Sequence, residues 1–239
     1  MSDMKTLLFM SLFLMGAGTM SGWAVTDTLA GHSAAVSFLW FGLTVFLIVF
    51  AVQVFLFVMA RTRLFYQIIF SSSLMVSVTW LMMCLVLPIY WVSAISLFAR
   101  IGIFIFTVWL FACNGYVGVR GFKSRWEEKN PATKKYYNSK QSSLDWDKIT
   151  KSLHFSITVH IPGVSHRVMP FLSVPIIFSM ILGLNFRNMY PTASVFAWGI
   201  PCIIVSSSFI QMISISIAQA FKIIEIEDQI GAKIRSKIN

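Results

Sequence analysis

Six stretches of this chain run apolar over residues 6–25, 34–60, 65–90, 101–119, 169–186 and 193–221. Each is close to the roughly 20 residues a helix needs to cross about 30 Å of hydrocarbon. The apolar residues are continuous within these runs and do not recur at the 2.0 or 3.6 spacing of a half-buried element. A fold with one wet face is therefore excluded for most of the length. Composition agrees, with 57% hydrophobic and only 12% charged residues among 239, too little polar surface for a water-soluble domain.

These features predict an all-α integral membrane protein, a six-span helical bundle. Residues 1–119 are expected to form a four-span membrane bundle and residues 120–168 a basic cytoplasmic loop. Residues 169–221 should form a two-span hairpin, and residues 222–239 an amphipathic cytoplasmic helix. The fifth run is the shortest and holds Pro170 and Pro175, which marks it as the span to kink, tilt or re-enter. The first run also has the outline of a secretory signal, with cleavage expected after Ala24 if it is one; the reading adopted is a retained helix.

Charge position sets the expected orientation. With the amino terminus inside, seventeen of the 19 Lys and Arg residues face the cytoplasm, and Arg100 and Arg187 face out. Cytoplasmic loops carry the excess of Lys and Arg, so both termini are expected inside, in a cell membrane, as in a bacterial inner membrane. Trp23, Tyr90, Trp91, Tyr190 and Trp198 then fall near the outer interface, and Tyr66 and Tyr116 near the inner one. The segments left outside, residues 26–33, 91–100 and 187–192, are too short for a receptor domain.

The net charge of +10 gathers in residues 120–167. Ten basic residues there, among them Lys123, Arg125, Lys129, Lys134, Lys135 and Lys140, face four acidic ones. Such a segment gains about 1 kcal/mol per cation from an anionic leaflet, so membrane lipid or a cytoplasmic partner protein is the expected contact. Trp126, Tyr136, Tyr137 and Trp146 are interleaved with the charges, yet no nucleic-acid motif accompanies them and nucleic acid is not expected. Residues 153–161 alternate, Leu153, Phe155, Ile157, Val159 and Ile161 against His154, Ser156, Thr158 and His160, which predicts a strand ended by Pro162-Gly163.

Chemistry-bearing motifs are missing. No Asp or Glu lies in the six runs, and no GxSxG, Walker loop or HExxH occurs. Glu127-Glu128 resembles the paired glutamates of membrane CAAX-type proteases, but it continues Lys129-Asn130-Pro131-Ala132 in a polar loop, where that motif fails. His154 and His160 would stand about 20 Å apart along a strand, too far to share an ion. Cys84, Cys113 and Cys202 read as buried thiols. No enzyme, metal or cofactor is expected.

The last run is the most informative. Ser207, Gln211, Ser214 and Ala218 recur at spacings that place them on one helix face. That face is expected either to pack helices or, in an oligomer, to line an aqueous path for an ion or small solute. Beyond it Ile223, Ile226, Ile230 and Ile234 form an apolar stripe, expected to lie on the inner leaflet or to join copies in a short coiled coil. Gly18 and Gly22 add a GxxxG to the first run. A homo-oligomeric, non-enzymatic membrane subunit is the leading expectation, of the kind found in secretion, immunity or phage-defence complexes.

Overall fold

Hydrocarbon supplies no partner for a bare backbone amide, so a long apolar run can satisfy itself only as a helix. The computed structural model follows that rule and describes residues 2–129, 137–138, 143–153, 155, 159–164, 169–187 and 189–235. In chain order these form α1 (Ser2–Ala30), α2 (His32–Met59), α3 (Leu64–Ser71), α4 (Ser73–Val86), a 3-10 turn at Leu87–Tyr90 and α5 (Leu97–Lys129). The strands β1 (Tyr137–Asn138) and β2 (Ser143–Leu144) follow, then α6 (Trp146–Leu153), α7 (Met169–Phe186) and α8 (Pro191–Ile230).

Among the described residues five helical segments are long and apolar enough to cross a membrane: Met4–Ala30, His32–Met59, Leu64–Tyr90, Leu97–Lys129 and Pro191–Ile230. α7 is shorter, with 18 residues, about 27 Å at 1.5 Å per residue. The protein is therefore a multi-pass helical membrane protein by the length and composition of its helices.

Side-chain contacts fix the helix directions. Ser11 meets Ser73 and Ser77, and further along Gly18 and Gly22 meet Leu81 and Cys84, so α1 and α4 run parallel. Thr19 lies against Gly42, and Gly22 against Phe38, so α2 runs back between them in sequence. α5 and α8 also run parallel: Ile103 and Leu110 share a core with Val195, Trp198 and Cys202, while Phe122 shares one with Ala220 and Ile223. α8 is the hub, packed against α3, α4, α5 and α7.

Local chemistry explains the one interruption in the third run. Ser71 and Ser72 turn their hydroxyls onto the carbonyls of Ile68 and Ile69, at 2.6 and 2.7 Å. Such back-bonding competes with the helical ladder and bends it, and α3 gives way to α4 there. Polar groups tie the spans together. Ser11 donates to the Ser73 carbonyl at 3.2 Å, Gln53 Nε2 to Ser77 Oγ at 3.4 Å and Trp80 Nε1 to Thr19 Oγ1 at 3.1 Å. Interhelical bonds of this kind contribute about 0.6–2 kcal/mol each.

Four expectations from the sequence are corrected. The polar loop does not begin at Arg120, because α5 carries its charged residues as helix to Lys129. The outer segment expected at residues 26–33 shrinks to Gly31, whose φ of 87° turns α1 directly into α2. The strand expected at residues 153–161 is absent from its described residues. Leu153 closes α6, and Phe155 and Val159–Ile161 are irregular backbone; His154, Ser156, Ile157 and Thr158 lie outside the described residues. Periodicity of two lost to a stronger local signal, since Asp145 caps the Lys148 amide at 3.4 Å and Trp146, Ile149 and Leu153 share one buried helical stripe.

The fourth correction concerns the tail. Gly231 does not weaken the middle of a helix but ends it, with φ 72° and its amide on the Glu227 carbonyl, the left-handed cap glycine favours. The chain then turns back. Glu227 Oε1 accepts the Ile234 amide at 2.8 Å, the Ile234 carbonyl accepts the otherwise orphaned Leu64 amide that opens α3 at 3.1 Å, and Arg235 bridges Ser143. Residues 236–239, also expected to be helical, lie outside the described residues.

Candidate functional site

At one pole of the bundle the ends of three long helices and the segments beyond them form a second apolar core. Leu64 from α3, Phe122 from α5, Leu144 from β2 and Ile149 and Leu153 from α6 close on Ile223 and Ile226 of α8 and on Ile234 of the returning tail. No one of these segments could bury its apolar side alone, and β1 and β2 pair over only two residues, Tyr137 with Leu144 and Asn138 with Ser143. Together they make a cap. Its aromatic seam runs from Phe155 through Phe122, 5.9 Å between ring centroids, to Trp126 and on to Trp146, again 5.9 Å. Trp146 also donates its indole N–H to Gln219 at 3.4 Å.

The basic residues surround this core. Lys123 and Lys129 stand exposed on α5, Arg125 and Lys129 lie 3.7 and 3.9 Å from Glu128, and Lys222 lies 5.3 Å above the Trp126 ring while pairing with Glu225. Exposed pairs of this length stabilise little, so these cations stay available to a partner. Lys134, Lys135 and Lys140, the other expected contacts, lie outside the described residues. Between the end of α5 and α8 runs a groove of about 650 Å³ lined by Phe122, Lys123, Trp126, Glu127, Phe221 and Glu225.

The isoleucine stripe divides. Ile223, Ile226 and Ile234 are buried in the cap of their own chain, and Ile230 is exposed. The polar face of α8 likewise meets protein. Ser207 and Gln211 are buried and Ser214 and Ala218 partly so, because this face lies on α5, where a Cβ on Gly118 would come 2.6 Å from the Gln211 carbonyl and one on Gly115 3.2 Å from Ser214 Oγ. The glycines are what let the two backbones approach. Gly18 and Gly22 do the same for α1 against α4 and α2.

Two amides passed over in the sequence lie deeper. Asn114, fully buried in α5, donates Nδ2 to the His160 carbonyl at 2.8 Å and accepts the His160 amide at 2.9 Å. It thereby fixes the segment after the cap at the depth of an apolar run. Gln53 is buried among Ser11, Ser73 and Ser77, with Oε1 unpartnered. Their signal was available, since any polar group inside an apolar run is costly and marks packing or function. Among the described residues no group of three His, Cys, Asp or Glu side chains could hold a metal ion. Trp198, expected at an interface, is buried and donates to the Leu85 carbonyl at 3.0 Å.

The architecture defines a class, the helical multi-pass membrane proteins. Within it the chain matches no protein family, no characterised protein and no solved structure.

Proposed function

We propose that this chain is a non-enzymatic, six-span membrane subunit with both ends in the cytoplasm, and that it presents a fixed basic cap to a cytoplasmic partner protein or to anionic lipid of the inner leaflet. Because α5 and α8 run the same way, the chain must return across the bundle between them, and α7 is the element long enough to do so; that supports the sixth span. Lys5, Arg61, Arg63 and the cap cations gather at one pole and Arg100 and Arg187 at the other, which supports cytoplasmic ends in a cell membrane such as a bacterial inner membrane.

The single observation that carries the reading is the cap itself. A basic loop that served topology alone would need no core, yet four separated segments here are spent on building one. Self-association would then rest with the spans, where α2, α5 and α7 leave large apolar side chains uncovered. The polar face of α8 favours helix packing over a channel, since α5 of the same chain covers it.

Native mass spectrometry from nanodiscs tests the proposal. An oligomer or a stoichiometric acidic partner is expected, with the partner lost from a Lys123→Gln, Arg125→Gln, Lys129→Gln variant. A strictly monomeric chain with no retained partner or anionic lipid would remove it. Conductance that vanished in Gln211→Leu would instead favour the channel.

A further inference from the structure

On the flank of α5 away from α8, the segment fixed by Asn114 borders an open cavity of about 590 Å³ lined by Tyr116, Val117, Arg120, Ser124, His160 and Pro162. We propose that this cavity binds one anionic phospholipid through its phosphate. The inference rests on the chain lying in a membrane and not on any partner of the cap.

The wall is built. Asn114 holds both the amide and the carbonyl of His160, so moving His160 away would leave the buried Asn114 amide without these two bonds. Three lining residues carry donors, one per helical turn: the Tyr116 phenol, the Arg120 guanidinium and the Ser124 hydroxyl. Among the described residues no carboxylate lines the cavity, and Arg120 has no ion-pair partner there. A planar guanidinium matches phosphate oxygens two at a time, which is why arginine is favoured for such recognition.

Depth selects a lipid as the occupant. Arg120 directly follows the apolar run of residues 101–119, the level at which headgroup phosphates lie. Tyr116, 64% exposed, opens the cavity sideways to acyl chains and has the amphipathic ring suited to that boundary. The opposite flank of the same helix supplies the contrast. Its groove has Lys123 and Lys222 but also Glu127 and Glu225, so a phosphate seated there would meet carboxylates as well as cations.

The experiment uses the full chain, delipidated in detergent and titrated with phosphatidylglycerol or phosphatidylcholine, with bound lipid counted by native mass spectrometry. One phosphatidylglycerol is expected to persist after the others are stripped, roughly tenfold more weakly in Arg120→Gln. It should be retained in Arg120→Lys more than in Arg120→Gln, and unchanged in Lys5→Gln, an exposed cation at the start of α1. Equal retention by wild type and Arg120→Gln, equal loss in Arg120→Gln and Lys5→Gln, or equal binding of phosphatidylcholine would each overturn the proposal. So would displacement of the lipid by millimolar inorganic phosphate, which would make the site one for the free anion.

Discussion

The two poles of this bundle are closed by different means. At the pole of Arg100 and Arg187 the connections are minimal. Gly31 alone joins α1 to α2, and the core of Ile89, Val195, Trp198 and Cys202 is made by the ends of the spans themselves. At the other pole a hairpin, a short helix and a turned-back tail add to a core joined by α3, α5 and α8, and among the described residues Lys123, Arg125, Lys129 and Lys222 lie beside it. A membrane protein needs only the first kind of closure to be stable. The second is extra structure on one side of the membrane, and extra structure calls for a use.

The comparison breaks most sharply at Ile223. It is fully buried in the cap, and Ile223→Asp would place a carboxylate there with no partner, a change expected to cost more than about 4 kcal/mol. The cap should open while the spans stay helical. Limited proteolysis in nanodiscs would then cut residues 130–168 rapidly, with the far-ultraviolet helix signal nearly unchanged. If helix signal and protease resistance fell together, the poles would be one cooperative unit and the contrast between them would dissolve.

Gly118 lies where the two regimes meet, on the α5 face against α8. A methyl group there would press on the Gln211 carbonyl, a backbone atom that cannot rotate aside. Gly118→Ala should therefore push the helices apart at a cost of about 1–3 kcal/mol, read as an earlier unfolding midpoint in mixed-detergent titration. An unchanged midpoint would mean that the polar face of α8 is not held by close contact with α5, and the channel reading would regain its lining residues.

How much of this was legible beforehand follows from where the apolar residues lie in sequence. The spans were legible because hydrocarbon demands that each be apolar along its whole length, so every span announces itself. The cap was not, because Leu64, Phe122, Leu144, Ile149 and Ile223 come from separate segments, and what unites them is a tertiary contact with no local pattern. Its one local element, α6, had a readable cap at Asp145, but the surrounding charges drew the eye to electrostatics and the alternation after Leu153 drew it to a strand. Gly231 was readable either way, as a weak point in a helix or as its end. Asn114 is legible as a polar group inside an apolar run, but its partner, the His160 backbone, is a tertiary contact that no local pattern announces.

The mildest prediction concerns the thin pole. Asp27 and His32 approach at 3.2 Å across the α1–α2 junction, but the His32 side chain is 80% exposed. A pair in that setting exchanges one solvated arrangement for another and is screened by salt. The junction is held instead by what lies beneath it: Thr26 bonds the Gly22 carbonyl at 2.7 Å, and Gly31 receives and returns helical bonds to Asp27 and Ala35 at 3.1 Å. His32→Ala should accordingly leave the unfolding midpoint where it was at both low and high salt. A salt-sensitive loss would show that this pole, too, depends on groups in water, and that the asymmetry between a closure made by spans and a closure made by a cap is smaller than the geometry implies.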